Sequence, residues 1–173
     1  MPETLAQRLA EYAISTRFED LPDLVVHETK RRLIDALACA LGARSADTPR
    51  VAERVASRIA AEPAATTLYG SRTSPDMAAF VNGILFRYLD FNDTYLSKEP
   101  AHPSDNLAAV LAAGEASGSD GSALIAAAVV AYEVQCRLAD AWSLRSQGWD
   151  HDCYGAFSTA LGAGKLLGLD AAS

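Results

Sequence analysis

From Ala123 to Tyr132 the chain runs ten apolar residues without a break, and the pattern stays apolar nearly all round to about Trp142. A helix with no polar face has nothing to offer water, so it belongs at the centre of a bundle. The rest of the chain supplies helical neighbours. Glu3 to Ser15 places Leu5, Leu9, Tyr12 and Ala13 on one face, with Thr4 as cap. Pro22 opens a longer helix in which Leu24, Val25, Leu33, Ile34, Leu37, Ala38 and Leu41 recur at helical spacing, with Gly42 to end it. A third helix is expected from Thr48-Pro49 through Val51, Val55 and Ile59 to Pro63. Thr66 to Tyr69 reads as extended, with no evident strand partner. Ser74-Pro75-Asp76 starts a fourth helix carrying Met77, Phe80, Val81, Ile84, Leu85 and Tyr88. Ser104 or Asp105 caps a fifth that fades at Gly118, and Asp120-Gly121-Ser122 introduces the central one. The last, Tyr154 to Leu169, carries Gly155, Gly162 and Gly164, small residues that let a neighbour approach closely. The pattern predicts an all-α multi-helix bundle, one domain over residues 1–173.

Charge and composition narrow the partners. Twenty-two carboxylates against 15 Lys and Arg give a field that repels nucleic acid, and no basic stripe offsets it. No uninterrupted apolar run reaches membrane-spanning length, and Met1-Pro2-Glu3-Thr4 lacks the start of a secretory signal. Three cysteines (Cys39, Cys136, Cys153) have no Cys-x-x-Cys spacing, which points to free thiols and a cytoplasmic setting.

Between the fourth and fifth helices lies a polar, Pro-flanked segment: Leu89-Asp90-Phe91-Asn92-Asp93-Thr94, then His102-Pro103-Ser104-Asp105-Asn106. Such a segment between apolar helices faces either solvent or a ligand. Asp90 and Asp93 are three apart and would share one side of a continuing helix. They then suit general acid chemistry, or a divalent cation with a histidine, or simple capping. His-Glu-x-x-His is missing, the cysteine spacing is wrong and no calcium-loop alternation is present, so no metal is expected. His102 and His151 both stand in polar loops, where an imidazole either transfers protons or merely decorates a helix start; His27 reads as an ordinary helical residue. Arg87 and Lys98 are surface ion pairs or, for a polycarboxylate ligand, its anchors.

Arg87 to Thr94 followed by Glu99-Pro100-Ala101-His102-Pro103-Ser104-Asp105-Asn106 resembles the signature of the MmgE/PrpD family, which includes 2-methylcitrate dehydratase, cis-aconitate decarboxylase and an iminodisuccinate epimerase. Arg31 to Cys39, Ala131-Tyr132-Glu133-Val134, and Gly148-Trp149-Asp150-His151 leading to Gly164–Leu169 agree with it. The resemblance implies an all-helical domain, a separate α/β lid that this chain lacks, a homodimer, and chemistry needing no cofactor. It further implies catalytic roles for Asp93, His102 and His151 and a substrate contact from Thr94, with Asp90 and Asn92 as substrate-binding residues in the same motif; Arg87 and Lys98 are the candidate cations for a polycarboxylate substrate. The implied reaction is dehydration of a tricarboxylate such as 2-methylcitrate. The full Phe-Asn-Asp-Thr and His-Pro-Ser-Asp-Asn wording is nearer the dehydratase branch than the decarboxylase branch. Epimerase, decarboxylase and a non-catalytic dimerisation subunit are the alternatives. Asp170-Ala171-Ala172-Ser173 reads like the start of another helix cap, so the chain is expected to stop within a domain, with the lid on the remainder or on a separate polypeptide.

Overall fold

The structure, a computed structural model, describes residues 4–59, 62 and 64–171. Among them the chain forms seven α-helices: α1 (Leu5–Ser15), α2 (Asp23–Ala43), α3 (Asp47–Ala56), α4 (Pro75–Arg87), α5 (Leu107–Ser117), α6 (Gly121–Ala141) and α7 (Asp152–Leu166). Between α3 and α4 a short antiparallel hairpin pairs β1 (Ala65–Thr66) with β2 (Arg72–Thr73). The extended stretch therefore does have a partner, one too short and too polar to show in the sequence pattern. Asn82 of α4 pins it, accepting from Leu68 N–H at 2.7 Å and donating to Thr66 C=O at 3.2 Å. The all-α reading holds.

Local chemistry sets some of the helix ends. Thr4 accepts from Gln7 N–H at 3.2 Å while the Gln7 side chain accepts from Thr4 N–H at 2.8 Å, a reciprocal cap. Asp120 accepts from Ala123 N–H at 2.8 Å to start α6, and Gly118, at φ 66°, closes α5. Gly42 does not end α2, which continues through Ala43. α3 stops at Ala56, so Ile59 lies beyond it, and Pro63 falls outside the described residues. α7 starts two residues earlier and ends three earlier than the pattern predicts.

The core is built from small residues more than from the large apolar stripes. α2 buries Ala36, Cys39, Ala40 and Ala43, whereas Leu24, Ile34 and Leu41 are 70%, 67% and 64% exposed. α3 buries Pro49, Ala52 and Ala56 and leaves Val51 and Val55 outside. The physical reason is distance: an alanine face lets helix axes approach, so the wider faces are left for something else to cover. α6 is central as expected, with every residue from Ile125 to Ala131 buried. It is 21 residues long and contains an 18-residue stretch of mean hydropathy 1.4, which matches a bilayer span in length and apolarity, but it packs against α5 and α7 inside the bundle. At Gly162 on α7 a Cβ would sit 3.1 Å from Ala127 C=O and from Ala131 Cβ, so any larger residue would push α7 away from α6. Phe86, Leu85, Leu107 and Val110 fill the remaining interior.

One short element gathers the bundle. The 3₁₀ turn Pro103–Asn106 packs against α2, α4, α5, α6 and α7. Asn106 is fully buried and its amide is satisfied on both sides. It donates to Pro103 C=O at 2.8 Å and to Gln135, and accepts from Ser158 and Thr159 at 2.7 and 2.6 Å. A buried amide without unmet partners fixes orientation as well as position. The turn therefore places His102, the residue before it.

Candidate active site

α4 ends at Arg87, and Asp90 lies in the left-handed region at φ 56°, so Asp90 and Asp93 do not share a helix face. This corrects the acid-pair reading. A non-glycine residue in that region breaks the helical path, which turns the segment inward after Asp90. Asp90 is exposed and paired with Arg87, whose hydrogen bond holds its carboxyl below the ordinary value. Asn92 is buried and donates to Ser104 Oγ at 3.1 Å and to Asp105 at 3.2 Å, while accepting from Arg87 at 3.3 Å.

Asp93 acts in two directions. Its carboxylate accepts from Ser104 N–H at 3.0 Å and from the Tyr132 hydroxyl at 2.8 Å. Burial and the neighbouring Asp93 charge push the Tyr132 hydroxyl upward, so it remains a donor. Its backbone carbonyl lies 2.8 Å from His102 Nδ1. A carbonyl can only accept, so that nitrogen carries a proton, and in the neutral ring it is Nε2 that holds the lone pair. Asp93 thus orients His102 through its backbone, with its carboxylate engaged elsewhere. The Thr94 hydroxyl, otherwise exposed, stands 3.4 Å from the same Nδ1.

His151 comes from the loop that opens α7. Its ring meets that of His102 edge-on, centroids 5.4 Å apart and planes at 64°. The ring is mostly buried, with Asp150 at 2.6 Å from Nδ1 and Asp152 at 3.3 Å from Nε2. Those are ion-pair distances, but neither contact has the alignment of a hydrogen bond, and both nitrogens are shielded from solvent. The two loop histidines are therefore neighbours in space, whereas His27 is exposed on α2.

Spacing in the sequence did not single out Asp105, which sits beside the pair. Burial, opposed by Arg87 and reinforced by Asp152, pushes its carboxyl up to about 6. Arg87 Nε is 3.8 Å from it, so this guanidinium serves Asp90, Asn92 and Asp105 together. Asp105, His151 and Asp152 each present one ligand atom within 4.8 Å of the others, a set that could hold a cation between two carboxylate oxygens and a buried imidazole nitrogen. Lys98 is the outlying member of the expected set: exposed, and acting on Asp140. Tyr132, supplied by α6 from 39 residues away, could not be assigned to Asp93 by proximity in sequence.

Two concavities adjoin the cluster. One of about 470 Å³, between α2 and α6, is lined by Val25, Arg32, Tyr132, Cys136 and others, and contains neither converging imidazole. Another, of about 250 Å³, is lined by Arg31, Arg32, Asp35, Phe91 and Asp93 and brings two further guanidinium groups towards Asp93. The larger groove is mostly apolar and lacks the imidazoles, so the histidine cluster is the chemical candidate.

The chain is 32% identical over 180 residues to the 2-methylcitrate dehydratase of Cupriavidus necator, covering 97% of the chain and 37% of that protein. It is 31% identical to a cis-aconitate decarboxylase of Aspergillus terreus over 95% of the chain and 36% of that protein. To the human cis-aconitate decarboxylase it is 30% identical, over 98% of the chain and 37% of that protein. The chain thus spans a little over a third of the length of these relatives. The family model described as the MmgE/PrpD N-terminal domain matches residues 7–173, and the chain belongs to the MmgE/PrpD family.

Proposed function

We propose that residues 1–173 form the N-terminal helical domain of a carbon–oxygen lyase that dehydrates a tricarboxylate of the 2-methylcitrate kind by acid–base catalysis. The observation that carries this reading is the His102–His151 pair at 5.4 Å, with His102 Nδ1 tied to the Asp93 carbonyl. Dehydration removes a proton from a carbon beside a carboxylate and expels hydroxide from the adjacent carbon. It needs a base on one side and an acid at the departing oxygen. His102 Nε2, left with its lone pair, takes the carbon-bound proton. The electron pair of that C–H bond becomes the new C=C bond, and the C–O bond breaks. His151 delivers a proton to the departing hydroxyl, which leaves as water. Asp105, with its raised pKa, is the nearby reserve acid.

Arg87 and the Arg31–Arg32 pair supply cations for the substrate carboxylates, with Asn92, Thr94 and Asp90 at the same rim. Lys98, exposed and acting on Asp140, is the remaining candidate cation. The working protein is a cytoplasmic homodimer needing neither metal nor organic cofactor, and the α/β lid comes from the remainder of a longer chain or from a second polypeptide. Identity does not separate dehydratase from decarboxylase, at 32% against 31%. The reaction does. The protein carrying this sequence, alone and with any lid-bearing partner, is given 2-methylcitrate and cis-aconitate in the presence of a chelator. An unsaturated tricarboxylate appearing from 2-methylcitrate supports the proposal. Carbon dioxide and itaconate from cis-aconitate make it a decarboxylase, and a folded dimer inert in every mixture makes it a scaffold.

A further inference from the structure

Glu99 places a carboxylate where burial is costly unless every oxygen is occupied. It is wholly shielded from solvent. One oxygen accepts from the Ser143 hydroxyl at 2.8 Å and from Arg145 N–H at 2.9 Å; the other has no hydrogen bond and lies 3.7 Å from Arg145 Nε. The Arg145 N–H above all holds the carboxyl below its ordinary value, so it stays an anion. The Glu99 N–H donates to Ala139 C=O at 3.1 Å, docking the same residue on the end of α6.

What this carboxylate joins is informative. Glu99 lies three residues before His102, and paired backbone bonds between Tyr95 and Ala101, 2.8 and 3.0 Å, clamp the intervening loop. Ser143 and Arg145 belong to the loop that leads to His151. Within that loop Gln147 and Trp149 donate to Leu144 C=O and Gly148 donates to Arg145 C=O, so a constraint at Arg145 is carried to Trp149, two residues from His151. From these contacts we infer that Glu99 is a positioning residue: its carboxylate fastens the His151 loop to the His102 segment and sets the separation of the two imidazoles. The catalytic meaning of that separation rests on the acid–base proposal; the geometric coupling does not.

The two donors share a single oxygen, which makes the test specific. Glu99→Gln keeps an oxygen there and Glu99→Ala does not, while Ser143→Ala removes one donor and leaves the carboxylate. In protein labelled at histidine, the ring-to-ring nuclear Overhauser effect between His102 and His151 reads the separation directly. It is expected to persist in Glu99→Gln, weaken in Ser143→Ala and vanish in Glu99→Ala, with core methyl signals unmoved. Turnover of 2-methylcitrate is expected to fall about 10- to 100-fold in kcat for Glu99→Ala with KM little changed, and by less than about threefold for Glu99→Gln. A folded Glu99→Ala variant with ring contact and kcat intact overturns the inference. If that variant does not fold, an unchanged ring contact and kcat in Ser143→Ala overturns it. If no variant, nor the parent, turns over a tricarboxylate while the ring contact follows the stated order, the positioning role stands and the lyase proposal falls.

Discussion

Around Gly162, α7 meets α6 through Ala127 and Ala131 with no side-chain hydrogen bond required, and a single added carbon would have to displace backbone. Around Asn92, some of the same helices are joined by polar partners: Asn92 to Ser104 and Asp105, Asp93 to Ser104 N–H and Tyr132. The first region responds to volume, because close-packed contacts vanish or clash with small changes in size. The second responds to the count of donors and acceptors, because an unmet buried polar group costs more than a made one gains. Stability and chemistry are therefore separable in this molecule, and substitutions in the two regions should show it.

The largest effect belongs to the polar region. His102→Gln is expected to lower kcat/KM for the proposed dehydration about 10²- to 10⁴-fold, the usual worth of a positioned base, with thermal melting nearly unchanged. A large melting shift would instead show that the imidazole holds the fold together. Next comes a pH effect. The Asp105 carboxyl is raised from 3.8 to about 6 by burial, so the folded state holds its proton more tightly than the unfolded chain does. Its contribution favours folding below about pH 4, declines as pH rises, and is lost above about pH 6. The full shift would correspond to about 3 kcal/mol, and the group's partial exposure makes the loss smaller than that. Asp105→Asn should flatten that slope in denaturant titrations run across this range, while keeping an oxygen for Asn92.

A third substitution probes the contact region. Gly162→Val is expected to lower stability by about 1–3 kcal/mol, read from the denaturation midpoint, while the surviving folded protein keeps its turnover. Loss of turnover in proportion to the midpoint shift would mean that core and site are mechanically one. The smallest effect is expected at Ile34, which is 67% exposed: Ile34→Ser should change stability by no more than about 0.5 kcal/mol. A larger loss in the intact protein would show that another surface covers that face of α2.

What could be read beforehand divides along the same line. Caps at Thr4, Asp120 and Gly118 are local, three or four residues of chemistry, and the apolar run of α6 identifies a central helix by itself. The inward face of α2 could not be read that way. Larger apolar residues dominate the helical stripe, yet alanines make the closest packing, and the distance between helices is a tertiary fact. The Asp90–Asp93 pairing failed because it assumed that α4 continues, whereas Asp90 turns the chain at a positive φ. Convergence of His102 and His151, 5.4 Å apart in space, was visible only through likeness to a family. Tyr132 and Asp105 had quotable motif positions, but their roles depend on burial and on a partner far along the chain.

The central claim is that two loops bring His102 and His151 to one acid–base site. The nitrogen resonances of both imidazoles, followed by ¹⁵N spectroscopy while 2-methylcitrate is added to the protein carrying this sequence, test it directly. The account predicts that the two histidines respond together with one apparent Kd, and that His102 begins with its proton on Nδ1. Independent responses, silence from one ring at saturation, or a His102 protonated on Nε2 would contradict it.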